Sequence, residues 1–236
     1  MLTGRWLGRV IGLLNPGPAG LLFILLFIIL LAVMAPIAFR IGKLLVEPIL
    51  WIYESRNYSV GFSLVGSIIP AVVAIILAWL LRGRGRRVVP AVMASAWFWV
   101  FVITYVAFLG VALPVMSPIA AAVLLSLNTP MILAAPLIFI TALGLAREIR
   151  RDDYWVAAEA YVTLFTPLAL SDSTTAMMAG VAAEIAHILA KSSLVIGGYG
   201  VTDGLVLIPI EAAIAALITV VAVRHLDALK VVFKRG

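Results

Sequence analysis

Long uncharged stretches of apolar residues restrict this chain to one class of protein. Residues 10–39, 57–81 and 88–146 contain no charged side chain, and about 20 apolar residues suffice for a helix to cross a bilayer. Only 12% of the 236 residues are charged and 64% are hydrophobic, whereas soluble domains carry about 25% charged residues. The sequence therefore predicts an all-α polytopic helical membrane bundle.

Turn residues and charges divide these stretches into about six transmembrane helices within a single membrane domain, 1–236. A first apolar run that is too long for a signal peptide follows Arg5 and Arg9, so we expect an uncleaved anchor. Short interfacial helices are expected at 41–53, which is mildly amphipathic, and at 173–190. The predicted spans are 19–39, 59–81, 88–112, 117–146, 154–170 and 201–223.

Basic residues are distributed unequally between the loops on the two sides of the membrane. Of the 17 Lys and Arg, only Arg40, Lys43, Arg56 and Lys191 fall on the side opposite the N-terminus. Cytoplasmic loops carry the excess of positive charge. We therefore expect a cell-membrane protein with cytoplasmic N- and C-termini. The basic runs are expected to contact the lipid bilayer, not nucleic acid.

The composition excludes several kinds of site. The chain has no Cys and only two His, so thiol chemistry is ruled out, and Glu184 with His187 makes only half of a di-iron motif. No phosphate loop or dinucleotide fingerprint is present. We expect no metal and no cofactor. The scarcity of thermolabile residues is typical of a thermophile.

All the ionisable residues expected at membrane depth lie in the last third of the chain. An ionised side chain at the bilayer centre costs at least about 2.5–3.5 kcal/mol, so each is a candidate functional residue. Glu159 is expected at the headgroups. Asp172 follows Pro167, which favours a broken helix that starts anew near Asp172. Either Asp172 caps that new helix, or it binds a substrate or ion with its neighbours Ser171, Ser173 and Thr174.

Asp203 is the second candidate, and it precedes an apolar helix. The glycines around it permit tight turns and close backbone approach. Either Thr202 or Asp203 caps the helix, or Asp203 reaches the level of Asp172 and the two carboxyls share a proton. Glu211 lies two turns further along the same helix and can line the same cavity. The surrounding glycines of this candidate site are Gly198, Gly200 and Gly204.

The motif "IGGYGVTDG" at 196–204 resembles the G-G-x-G-x-x-D-G signature of an uncharacterised archaeal and bacterial family of multi-pass membrane proteins. The paired aspartates are also similar to those of presenilin and signal-peptide-peptidase intramembrane aspartyl proteases. That resemblance implies Asp172 and Asp203 as catalytic residues and a transmembrane peptide as substrate. The chain departs from the Tyr-Asp mark, because Ser171 precedes Asp172.

Three functions remain open on the sequence. The first is a presenilin-like protease, in which the two aspartates activate water. The second is a proton- or cation-coupled transporter or channel that uses the same acidic residues. The third is a non-catalytic scaffold or complex subunit.

Overall fold

Helices form most of the described structure. The computed structural model describes residues 17–42, 48–55, 58–83, 154–185, 192–198 and 200–233, with Ala142, Leu143, Leu145, Ala146 and Ile149. Within that part of the chain there are four long helices: α1 (Gly17–Gly42), α2 (Ile69–Gly83), α3 (Val156–Ile185) and α4 (Gly204–Phe233). The segments Gly17–Met34, Leu64–Gly83 and Gly204–His225 are long and apolar enough to cross a membrane, and Val156–Leu170 is a shorter apolar helix.

The predicted spans 88–112 and 117–146 fall almost wholly outside the described residues. Of span 117–146, only Ala142, Leu143, Leu145 and Ala146 are described, and all four are helical. Three of these four side chains are buried in the core. Four of the six predicted spans, 19–39, 59–81, 154–170 and 201–223, therefore overlap the four long helices in the described part of the chain.

A three-stranded sheet corrects the prediction of an all-α fold. Its strands are β1 (Ile49–Glu54), β2 (Tyr58–Ser63) and β3 (Ser192–Ile196). The order is β1-β2-β3, with β1 antiparallel and β3 parallel to β2. The expected interfacial helix 41–53 is wrong over 49–53, and the expected span 59–81 is wrong over 59–63. The aromatic and β-branched side chains of these segments favour a strand, because they fit a pleated surface. The backbone of β1 forms its inter-strand hydrogen bonds with β2.

A π-helical turn, Leu64–Ile68, joins β2 directly to α2. The Ser63 hydroxyl accepts a hydrogen bond from the backbone N–H of Gly66 at 3.0 Å. The Ser67 hydroxyl donates to the Ser63 carbonyl at 2.7 Å. These bonds satisfy backbone groups that the change from strand to helix would leave unpaired.

Helix α3 runs without a break where the sequence predicted one. It continues through Pro167 and Asp172 to Ile185, so the expected separate helix 173–190 is wrong over 173–185. Proline lacks the backbone N–H that would bond to the carbonyl four residues earlier, yet it is tolerated in helices of an apolar environment. The Thr166 hydroxyl donates to the Val162 carbonyl at 2.7 Å. The described non-helical connection lies later, at β3 and the 3₁₀ turn Gly200–Thr202 that precedes α4.

The core forms where α3 and α4 pack side by side. Val156, Ala160 and Leu164 of α3 belong to one buried cluster with a small-residue face of α4. Small residues let helix backbones approach closely in an apolar environment. Phe23 and Phe27 of α1 complete this cluster with stacked rings 6.0 Å apart. The α4 members are Ala212, Ala215, Ala216 and Val220.

Candidate functional site

Asp172 and Asp203 come together at one end of the α3–α4 pair. Asp172 lies two residues beyond the apolar segment Val156–Leu170, and Asp203 lies one residue before Gly204–His225. The two carboxyl groups are close enough to repel each other electrostatically. The two aspartates therefore interact just beyond the apolar segments, and their predicted roles in catalysis or ion binding stay predictions.

Burial raises the pKa of the Asp172 carboxyl from its ordinary value of 3.8 to about 7, and the negative charge of Asp203 adds to this effect. Burial disfavours the charged form, and a second carboxylate nearby disfavours it further. Asp172 therefore binds its proton more tightly than an ordinary aspartate does, which is what acid–base or proton-transfer chemistry requires.

Asp203 also caps α4. Its Oδ1 accepts a hydrogen bond from the backbone N–H of Leu205 at 2.9 Å, and its carbonyl accepts from Leu207 N–H at 2.9 Å. The capping interpretation of Asp203 is thus correct. For Asp172 it is wrong, because Asp172 lies inside continuous α3. A capping carboxylate at a helix N-terminus is stabilised by the free N–H groups there.

Most of the remaining predicted site residues are near one aspartate or the other along the chain. Ser171, Ser173 and Thr174 belong to the α3 turn that contains Asp172, and Thr202 belongs to the 3₁₀ turn before Asp203. Gly198 is exposed. Gly204 is the first residue of α4.

The glycine-rich turn makes a close backbone contact that could not be predicted from the sequence. Gly197, with φ of +73°, lies against Gly66, and a Cβ atom built on either glycine would collide with the backbone of the other. Gly200 also has a positive φ, of +61°. Because β2 and β3 are parallel, the segments that follow them leave the sheet at the same end and meet there. The glycines were predicted to permit a close backbone approach. In the structure it is the backbone of Gly197 that approaches closely, and it contacts the π-helical turn of the same chain.

Two contacts fix how α3 and α4 are aligned. At one end lies the Asp172–Asp203 pair, and at the other the Arg224 guanidinium donates to the Tyr154 hydroxyl at 2.7 Å. The helices are therefore antiparallel. Between these contacts, the register places Ala160 level with Ala216, within the cluster that both share.

Buried polar side chains follow one side of this interface. Two antiparallel helices in contact are related by an approximate two-fold axis perpendicular to both helix axes. Residues that stand the same number of positions before a contacting residue, one on each helix, therefore lie on the same side of the interface. Three polar residues each stand one position before a cluster residue, and each is at most 4% exposed. We call this set the polar seam: Glu159, Thr163 and Glu211.

The sequence predicted Glu211 but misinterpreted Glu159. Glu159 was expected at the headgroups, yet it is only 4% exposed in the helix bundle. Thr163 was not singled out. The i, i+4 spacing of Glu159 and Thr163 on α3 was the available signal, but only the pairing with α4 shows that this stripe is buried.

Two atoms of the polar seam are not satisfied. Neither Glu211 Oε2 nor Thr163 Oγ1 has a hydrogen-bond partner within the described part of the chain. In contrast, the Thr219 hydroxyl donates to the Ala215 carbonyl at 2.7 Å. Most buried polar atoms in proteins are hydrogen-bonded, so such exceptions require an explanation.

Metal binding receives no support from the described residues, since no group of three or more His, Cys, Asp or Glu side chains there could hold an ion. Comparison with models of known families, with curated proteins and with solved structures gives no match to this chain.

The raised pKa of Asp172 predicts a specific pH dependence of stability. The folded protein binds this proton more tightly than the unfolded chain does, so stability is greatest below about pH 4 and falls as the pH rises towards 7. We expect Asp172→Asn to remove this fall in thermal unfolding measured in detergent from pH 4 to 8.

Asp203→Asn provides the comparison, because asparagine also caps a helix. It removes the repulsion but leaves Asp172 buried, so the fall in stability should move to lower pH and persist. If the stability of Asp172→Asn depends on pH in the same way as that of the wild type, Asp172 is not the group responsible for the fall.

Proposed function

We propose that this chain is a proton- or cation-coupled membrane transporter or channel whose acidic residues carry the ion. The observation that carries the proposal is Glu211, a carboxyl at most 4% exposed with an oxygen that has no partner among the described residues. It lies inside an apolar segment long enough to cross a membrane. Acidic residues at such positions in transporters mark ion pathways and proton relays.

The Asp172–Asp203 pair supplies the entrance to this pathway. Asp203 lies eight residues before Glu211, or about 12 Å along the helix at about 1.5 Å per residue. The excess of Lys and Arg on the N-terminal side orients the aspartate pair towards the outside and Tyr154 towards the cytoplasm. In this orientation a proton or small cation meets the aspartates first.

A flux assay in liposomes tests the proposal. We expect the purified chain to dissipate an imposed proton or sodium gradient, and Asp172→Asn to reduce the rate to that of protein-free liposomes. Glu54→Gln is the matched control, because Glu54 is an exposed carboxyl at the end of β1 and its change should leave the flux intact. The absence of flux under both gradients would contradict the proposal.

An intramembrane aspartyl protease is the second candidate, and the interaction of Asp172 with Asp203 favours it. A carboxyl pair that shares one proton can activate water, with one member acting as base and the other as acid. In that case Asp172→Asn and Asp203→Asn each abolish cleavage of a reporter transmembrane helix, and no flux is measured. This function assigns no role to the buried Glu211, so we place it second.

A further inference from the structure

We propose that the polar seam contains a second proton-binding site, in which Glu211 carries the proton, Thr163 holds a bridging water against the Glu211 carboxyl, and Glu159 receives the proton next. This inference rests on the proposed transport function and specifies protons as its substrate. It adds two residues, Glu159 and Thr163, that lie outside the aspartate pair.

The register of α3 and α4 brings Thr163 to Glu211. Thr163 precedes Leu164 and Glu211 precedes Ala212, and these two apolar residues lie level within the shared core cluster. The two polar residues therefore share one side of the interface and are offset by about 3 Å along the helix axis. Tyr161, on the opposite side of α3, donates from its hydroxyl to the Pro70 carbonyl at 3.5 Å, so the seam faces away from α2.

The unsatisfied atoms define what this site binds. Glu211 Oε2 and Thr163 Oγ1 are both buried, and neither has a hydrogen-bond partner in the described residues, so they do not bond to each other. A water molecule between them satisfies both groups, since buried waters bridge polar atoms of this kind. One carboxyl and one hydroxyl are too few oxygens for the six or more ligands that a divalent cation requires, and a proton needs only one carboxyl oxygen.

The surroundings make the neutral form of Glu211 the favourable one. An isolated carboxylate in an apolar environment is costly, and taking up a proton removes the charge. On α1 and α2, which also belong to the bundle, the described segments carry no acidic residue, and their basic residues Arg40 and Arg82 come only in the last turn. The acidic groups of this helix pair nearest along the helices are Glu159 on one side of the site and the aspartate pair on the other, while Glu184 and Asp227 lie near the C-terminal ends of α3 and α4.

The transfer requires no other reactant. A proton that arrives from the aspartate pair forms an O–H bond on Glu211, and the carboxylate becomes a carboxylic acid. That O–H bond then breaks, which restores the carboxylate, and a new O–H bond forms on Glu159. Because the two residues lie about 9 Å apart along the axis, the proton crosses through hydrogen-bonded water. Tyr154 and Arg224 mark the exit, at the far end of the helix pair.

Infrared difference spectroscopy of the reconstituted full chain, between acidic and alkaline buffer, tests the site directly. We expect a carboxylic-acid band that disappears in Glu211→Gln. Thr163→Val should raise the pH at which half of this band is lost by about 0.5–1 pH unit, equivalent to one hydrogen bond. Thr163→Ser, which restores the hydroxyl, should return the wild-type value.

Thr166→Val is the matched control, because it makes the same change on the same helix at a hydroxyl that bonds to its own backbone. Equal spectra for Thr163→Val and Thr166→Val, or a band that survives Glu211→Gln, would overturn the inference. In the flux assay we expect Glu159→Gln to reduce proton flux to the protein-free rate.

The two proposals fail separately. Proton flux that requires Asp172 but survives Glu159→Gln and Glu211→Gln overturns the polar seam site and leaves the transporter standing. A Glu211 band that depends on Thr163, in a protein without flux, overturns the transporter and leaves the proton site.

Discussion

Gly66→Ala is expected to unfold the π-helical turn and to lower the stability of the whole protein by about 3 kcal/mol, the upper end of the cost of overpacking. The added methyl group would collide with the backbone carbonyl of Gly197, which cannot rotate away as a side chain can. In a chain of this size the change corresponds to a fall of about 6–12 °C in the thermal midpoint. Unfolding followed by circular dichroism in detergent measures it.

The same contact can be tested from its other side. Gly197→Ala should cost at least as much, because Gly197 has a positive φ and a left-handed conformation adds about 1–2 kcal/mol for other residues. Gly83→Ala is the control, since a Cβ atom there meets nothing within 4 Å. A loss at Gly66 no larger than that at Gly83 would show that the two turns do not touch.

Ala216→Leu is expected to force α3 and α4 apart. Ala216 is completely buried, in the cluster that it shares with Ala160. Extra methylene groups in a packed core cost about 1–3 kcal/mol, which lowers the thermal midpoint by about 2–12 °C. Separation of the helices also weakens the repulsion between Asp172 and Asp203, so the pKa of Asp172 should fall towards its ordinary value.

Ala32→Leu is the matched change on an exposed position of α1. It should leave both the thermal midpoint and the pH dependence at their wild-type values. If Ala216→Leu lowers stability but leaves the pH profile unchanged, the aspartate pair does not depend on the α3–α4 contact, and the register proposed for the polar seam is wrong.

The long helices could be predicted from the sequence because a segment that is buried in lipid must consist mainly of apolar residues. A charge-free run of the required length has few alternatives to a helix in a bilayer, since each backbone group must be hydrogen-bonded within the segment. The structure has α1 and α2 at Gly17–Gly42 and Ile69–Gly83, which overlap two such runs. The strands were missed because their apolar residues, such as Trp51 and Phe62, equally fit a membrane helix or an interfacial one.

The candidate site was predictable in part. Charged residues are so rare in this chain that Asp172, Asp203 and Glu211 were conspicuous by type alone. Which of them meet depends on helix pairing, and a stripe such as Glu159 and Thr163 has the same spacing whether it faces lipid headgroups or another helix. The contact between Gly66 and Gly197 joins positions far apart in the chain, and no local pattern connects them.

The sequence by itself determined that this chain forms long apolar helices and that the acidic groups expected at membrane depth lie in its last third. That result follows from transfer free energies, which depend on residue type and not on neighbours. The tertiary structure alone decided that Ile49–Glu54 and Tyr58–Ser63 pair as strands, that α3 continues through Asp172, and that one side of the α3–α4 interface is polar. Those features depend on which segment lies beside which, because a hydrogen bond or a buried charge is stabilised by its partner across space.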